Sequence, residues 1–273
     1  MPRGLTRFFT NLGWTVYVAA IVTWLLFPLA LILLSSFQGT ISITTDVTNL
    51  NLSAYEKIPD RYWNSLWFTI QISVVATVAA LLVSVPAAWA MVRGKLAERR
   101  FLSNVVLLPD VVPHIILGIA LLTLYMQVGL AKTWLGMLLA MLSLSLAMGL
   151  RFTEALLEGL PEEYELAAET MGANKLQALW LILMPLMAPG LATAALFIFI
   201  SNMVTFELLF FISGPNASPI AVRLFSDIID RGIMPHSVAM ASIMIYISIA
   251  FYAIVALTLG PKYLAGSNVS RKG

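Results

Sequence analysis

The chain has 273 residues, of which 60% are hydrophobic and 11% charged, and it contains no Cys. Soluble domains carry roughly 45–50% apolar and about 25% charged residues, so this composition excludes an ordinary soluble enzyme and indicates an integral membrane protein. The net charge of +2 is too small for a nucleic-acid surface, and without Cys there is no disulfide, thiolate metal site or Cys nucleophile.

The chain opens on a basic stretch, MPRGLTRFFT, like a signal peptide. The apolar run behind it, 14–34, exceeds the roughly 7–15 residues of a signal h-region and lacks a small-residue cleavage site, so it is expected to be a retained first span. Six apolar stretches follow one another at 12–35, 65–92, 102–126, 134–152, 187–212 and 236–260. Each reaches the roughly 20 residues that a membrane helix needs, and none shows the alternation of a β-barrel strand. The expected fold is all-α: six transmembrane helices in one domain, 1–273, with Pro28, Pro86, Pro109, Pro113 and Pro189 as tolerated kinks. Trp14, Trp63 and Trp134 fall where interfacial aromatic anchors belong.

Lys and Arg orient the spans. With a cytoplasmic N-terminus, that side holds 11 of them, including Arg93, Lys95, Arg99, Arg100, Arg151, Lys175, Lys262, Arg271 and Lys272, and the other side holds Lys57, Arg61, Lys132, Arg223 and Arg231. The positive-inside rule then puts both termini in the cytoplasm. The outer segments 36–62 and 213–235 read as solvated connectors or as docking surfaces for an outside partner, with turn chemistry in GPNASP.

Between the fourth and fifth spans lies TEALLEGLPEEYELAAETMGANKLQALWLILMP, 153–185, which holds six of the 14 acids. Leu156, Leu157 and Leu160 continue the fourth helix. Pro161 with Glu162 and Glu163 starts a short helix that runs to about Met171, where Gly172 ends it through left-handed backbone. From Lys175 an amphipathic stretch returns to the membrane at Pro185. The short helix presents Ala167 and Ala168 as a small-residue face, rimmed by carboxylates. A solvated acidic loop is the plainer reading of the same residues.

The stretch LAAETMGANKLQALWLILMP resembles the EAA loop of permease subunits in bacterial binding-protein-dependent ABC importers. Ala167, Ala168, Gly172, Ile182 and Pro185 fall on its motif positions. Leu166 stands where the motif has Glu, with Glu165 and Glu169 as candidate replacements, and Met184 stands for the motif Leu. NLSAYEKI, LLPDVVPHIILGIALL and RGIMPHSVAMASI extend the resemblance across about 50–260, most like the spermidine/putrescine branch. The fifth span departs from that branch: FISNMVTFELLFF carries one Glu where an acid-rich stretch belongs.

The resemblance implies a multi-pass permease of the bacterial inner membrane forming half of the path for a small polar solute: a polyamine-like organic cation, an amino-acid-like compound or a phosphonate. It implies a second permease, expected to be a non-identical homologue, two cytoplasmic ATPases that bind the ATP and Mg, and a periplasmic or lipid-anchored solute-binding protein. It makes Glu162, Glu163, Glu165, Ala167, Ala168, Glu169, Gly172 and Ala173 the ATPase-coupling residues, and Gly172→Asp is expected to uncouple or disassemble the complex through bulk and charge at the turn. No nucleotide loop of the GxxxxGK[ST] kind occurs, so no cofactor is expected on this chain and it is not expected to be an enzyme.

Within the spans, Asp110 and His114 lie four apart and are expected on one helix face. Glu207 lies near Asn202 and Thr205 in the fifth span. An intramembrane charge costs at least about 2.5–3.5 kcal/mol on insertion scales, so these four, Asp110, His114, Asn202 and Glu207, are candidates for the solute path. Local pairing of Asp110 with His114, or with Arg99 and Arg100, is the structural alternative. Gln71, Ser73, Gln127 and Ser143 read as interhelical hydrogen-bonding residues. Two His without an acid cluster make no metal site. A stand-alone secondary transporter would need a coupling-ion site and commonly a repeat. An intramembrane enzyme using Asp110 and His114 would lack a nucleophile.

Overall fold

The structure, a computed structural model, describes residues 3–38, 50–94, 98–214 and 218–259. Lys95, Lys262, Arg271, Lys272, the polar stretch 39–49 and residues 215–217 lie outside the described residues. All regular structure within them is helical: α1 (Arg3–Ser36), α2 (Ser53–Glu56), α3 (Asp60–Arg93), α4 (Arg99–Val111), α5 (His114–Val128), α6 (Trp134–Glu158), α7 (Glu163–Thr170), α8 (Lys175–Ala178), a π turn (Leu179–Leu183), α9 (Met184–Val204), α10 (Glu207–Ile212), α11 (Ile220–Arg231) and α12 (Pro235–Leu259). Helices close their backbone hydrogen bonds internally, which a bilayer demands. Five stretches among them are long and apolar enough to cross: Gly13–Ser36, Asp60–Arg93, Trp134–Glu158, Lys175–Val204 and Pro235–Leu257.

The third expected span is not one straight helix. Its halves, Phe101–Val111 and His114–Val128, are bent by 97°. Pro113 explains the break: its ring pushes the preceding residue out of helical backbone, and Val112 is extended at ψ 134°. Pro28, Pro86, Pro109 and Pro189 instead remain inside helices. The fifth span begins earlier than expected, at Lys175, passes through the π turn just before Pro185, and stops at Val204. Proline's ring collides with the carbonyl four residues back, and a π turn is one way a helix absorbs such a misfit. Thr205 is then extended (ψ 113°) before α10 begins at Glu207.

The chain divides into two units. In the larger, Trp63–Arg223 with Ile247–Gly273, α3, α6, the π turn and α9 share an apolar cluster built on Val85, Ala88, Leu150, Leu157, Leu179 and Leu183. A second cluster joins Ile72 and Ala76 of α3 to Tyr125, Met137, Met141, Leu208 and Ile212. Between α3 and α6 the backbones approach closely at Gly149, where a Cβ would stand 2.7 Å from Ser84 Oγ. Small residues permit such contacts between membrane helices. In the smaller unit, Met1–Tyr62 with Leu224–Tyr246, Tyr62 is fully buried and donates to Asp227 Oδ2 at 2.6 Å. Arg61 reaches the same carboxylate oxygen at 3.2 Å, and the His236 ring meets Tyr62 edge-on. Ser242 Oγ donates to the Ile32 carbonyl at 3.3 Å, tying α12 to α1. The outer segment 213–235, read as a solvated connector or a docking surface, contains the twelve-residue amphipathic helix α11.

Candidate functional site

The acid-rich loop folds as helix, turn, helix. α6 runs on to Glu158, and α7 occupies Glu163–Thr170. Gly172 ends α7 with φ +90°. Its N–H donates to the Glu169 carbonyl at 2.9 Å, and the Ala173 N–H to the Ala168 carbonyl at 3.0 Å. This pair of bonds is the Schellman pattern. Asn174 then caps α8: its Oδ1 accepts from Gln177 N–H at 2.9 Å, while Gln177 Oε1 accepts from Asn174 N–H at 2.8 Å. Asn at N-cap with Gln three residues on is a capping box, a signal that the sequence reading passed over. The turn between the two helices is thus fixed from both sides.

Expected bulk intolerance at Gly172 has a different cause. A Cβ there meets no atom within 4 Å, so the demand is on φ, not on volume. Nor do Ala167 and Ala168 form one face, because adjacent helix residues point about 100° apart. Ala168 is buried and Ala167 is exposed. The outward surface of α7 is instead apolar at Leu166 and Met171, which are 59% and 89% exposed, with Glu163 and Glu169 beside them.

Glu165 points the other way, into its own chain. Arg93 Nε donates to its Oε1 at 2.8 Å, and Trp89 Nε1 to its Oε2 at 3.4 Å. Arg93 also reaches Glu162 at 3.5 Å and donates through Nη2 to the Leu157 and Leu160 carbonyls at 3.0 and 2.7 Å. Arg99 similarly holds Glu154 at 3.7 Å and bonds to Glu158. Four of the loop's six acids are therefore engaged by two arginines, neither of which the sequence had paired with the loop; Arg99, offered there as a partner of Asp110, bonds Glu154 and Glu158 instead.

Above the loop, the larger unit contains a cavity of about 570 Å³ lined by Asp110, His114, Ser145, Met148, Arg151, Phe152, Ser201, Asn202 and Thr205, among others. Asp110 and His114 both reach it but do not share a helix face: the bend at Val112 and Pro113 separates them. They do not pair either. Asp110 Oδ2 lies 3.7 Å from Arg151 Nη1, and His114 Nδ1 lies 3.4 Å from Glu207 Oε2. Arg151, counted with the cytoplasmic-side charges at the end of the fourth span, is a residue of α6 in the cavity wall. Asn202 is 4% exposed and occupied at both ends of its amide: Ser145 Oγ donates to its Oδ1 at 3.0 Å, and its Nδ2 donates to Thr77 Oγ1 at 3.3 Å. That network connects α3, α6 and α9. The residues expected to do so do not: Ser143 bonds the Ala140 carbonyl of its own helix, Gln71 and Gln127 are exposed, and Ser73 Oγ is buried without a hydrogen-bond partner. Glu207 lies at the start of α10, half exposed.

The profile of the family described as binding-protein-dependent transport system inner membrane component matches residues 80–260. The chain belongs to this family of ABC importer permeases. The permease is an integral protein of the inner membrane, and members of its family are transport subunits whose ATPase is a partner. It is 27% identical over 250 residues to the trehalose transport system permease protein SugB of Mycobacterium tuberculosis, covering 89% of this chain and 91% of that one. It is 23% identical over 255 residues to the spermidine/putrescine transport system permease protein PotC of Haemophilus influenzae, covering 93% and 97%. Among solved structures, a bacterial ABC transporter that imports the acidic polysaccharide alginate contains a similar chain, with TM-score 0.74 and 21% identity over 94% of this chain and 98% of that one. The MetNI methionine transporter gives TM-score 0.60 and 16% identity over 80% and 99%. These likenesses carry the fold.

Proposed function

We propose that the whole chain, 1–273, acts as one permease domain with both termini cytoplasmic, forms half of the path for a small polar solute, and receives the movement of a partner ATPase through α7. The observation that carries this reading is the build of 163–177. It is a short helix with a Schellman end and a capping box behind it, and it exposes Leu166, Ala167 and Met171 while Glu165 is tied inward. A rigid helix with an exposed apolar face suits docking into a groove, and rigid-body movement of packed elements is how such a push travels. Leu166, at the motif Glu position, then supplies apolar contact, and Glu165 acts as an internal strut. ATP and Mg belong on the partner ATPases. A second permease, a non-identical homologue, completes the path, and a periplasmic or lipid-anchored protein delivers the solute.

For the solute, we favour a small organic cation of the polyamine or amino-acid kind. The cavity region carries the carboxylates Asp110 and Glu207 against the single guanidinium of Arg151, with His114 beside Glu207. One carboxylate is in excess, and similarity to PotC runs over 93% of the chain. A neutral sugar-like solute is the second reading, supported by Phe152, which stacks on Phe197 in the cavity wall, and by similarity to SugB.

The test is reconstitution of the complete importer in liposomes, with labelled putrescine and trehalose offered in parallel. ATP-dependent, binding-protein-dependent uptake of putrescine is the expected result. Uptake of trehalose alone would favour the second reading. Uptake by this chain alone, driven by an ion gradient, would overturn both.

A further inference from the structure

Arg93 is the last residue of α3, yet its side chain is only 11% exposed and its guanidinium reaches two other elements at once. Nε and Nη1 reach the carboxylates of Glu165 and Glu162, at the beginning of α7. Nη2 reaches the carbonyls of Leu157 and Leu160, at the end of α6. The last four carbonyls of a helix lack intrahelical partners, and a cation there is favoured by the helix dipole. Trp89, one turn earlier on α3, donates to the second oxygen of Glu165. Both Glu165 oxygens are thereby held from α3, and the Glu165 side chain is 14% exposed.

We propose that Arg93 is a positioning residue for energy coupling: it clamps α7 to α3, so that a displacement of the short helix becomes a displacement of the second span. The inference rests on the coupling reading of α7. It goes beyond that reading by naming the side chain through which the push leaves the helix. The geometry requires arginine. Four contacts from three nitrogens of one planar fork cannot be reproduced by an ammonium, which is a compact point with three donors. The Arg93–Glu165 pair is largely shielded from water, unlike exposed surface pairs, which contribute little. Neither Arg93 nor Glu165 lines the cavity, so loss of the clamp should spare solute recognition. Mutations along a coupling network of this kind change coupling by roughly two- to thirtyfold.

The experiment uses the complete reconstituted importer carrying Arg93→Lys, Arg93→Gln or Glu165→Gln, with assembly, ATP hydrolysis and solute uptake measured on the same preparation. Since the chain has no Cys, Met171→Cys gives a single-site crosslink to the ATPase and reports docking of α7 separately. The expected result is that Arg93→Gln assembles and crosslinks, hydrolyses ATP at close to the parental rate, and imports about tenfold less solute per ATP. Arg93→Lys should lie between. Glu165→Gln, nearly isosteric, should follow Arg93→Gln.

Unchanged uptake per ATP in Arg93→Gln overturns the proposal. If that variant does not assemble, Glu165→Gln decides by the same ratio, and failure of both to assemble assigns the clamp to folding and overturns the coupling role. If Met171→Cys does not crosslink to the ATPase in an otherwise unaltered, active importer, the docking reading fails first and the clamp's coupling role falls with it.

Discussion

Replacing Gly172 isolates a single physical demand. Its φ is +90° and nothing lies within 4 Å of an added Cβ, so steric volume contributes nothing and backbone conformation contributes everything. An L-residue in left-handed backbone costs roughly 1–2 kcal/mol, and Asn and Asp pay least because they enter that region more readily. Gly172→Val should therefore open the turn by at least that amount. The first casualties are the bonds from Gly172 N–H to the Glu169 carbonyl and from Ala173 N–H to the Ala168 carbonyl. Hydrogen exchange of the intact importer reads this opening directly. A cost of 1–2 kcal/mol is a factor of roughly 5–30 in the open population, and exchange at residues 172 and 173 should accelerate by about as much in Gly172→Val. Gly172→Asn should accelerate it several-fold less, and Gly172→Asp should follow Asn. Equal exchange in the Val and Asn variants, or none faster than the parent, would refute the backbone argument. Loss of transport in Gly172→Asp without faster exchange would restore charge as the cause.

Gly149→Ala places a methyl 2.7 Å from Ser84 Oγ and 3.2 Å from Ser84 Cβ. Such overpacking costs about 1–3 kcal/mol, so the thermal unfolding midpoint should fall, and adding Ser84→Gly should recover most of the loss; absence of recovery would show that the contact is elsewhere. Asn202→Leu removes both amide bonds to Ser145 and Thr77. Hydrogen bonds between membrane helices average about 0.6 kcal/mol and reach about 1.7, so stability should fall by about that much per bond and the thermal midpoint with it; an unchanged midpoint would make the network dispensable. Glu207→Gln should weaken uptake of a cationic solute, and His114→Gln should add little on top of it because the two side chains form one pair. Additive losses in the double variant would mean that each acts separately.

Much of the scaffold was legible from hydropathy, because each bilayer crossing requires a long apolar helix. The first, second, fourth and sixth spans coincide with helices Gly13–Ser36, Asp60–Arg93, Trp134–Glu158 and Pro235–Leu257 to within several residues. The breaks were less legible. Proline at 113 and proline at 109 are the same letter, but one splits a span and the other is absorbed in a helix, since the outcome depends on what can satisfy the freed carbonyls. The stop at Thr205 has neither Gly nor Pro to announce it. Around the loop, the short helix and its glycine were readable because caps are local. The arginine clamp was not: Glu165 and Arg93 stand 72 residues apart, and no spacing rule connects them. The same holds for Asp110 with Arg151 and for Asn202 with Thr77, where a folded bundle chooses the partner.

That separation of 72 residues has a consequence for how the protein is made. At roughly 5–20 residues per second, Arg93 leaves the ribosome about 4–14 s before Glu165 exists to meet it. During that interval its charge is uncompensated and, on the proposed orientation, helps to hold the second span's end on the cytoplasmic face. Once the fourth span is in place, the same charge is drawn off the membrane surface into the clamp. One residue thus acts first as a topological signal for a nascent chain and afterwards as a joint in the finished one, and a variant that keeps the charge but loses the fork, Arg93→Lys, separates the two duties.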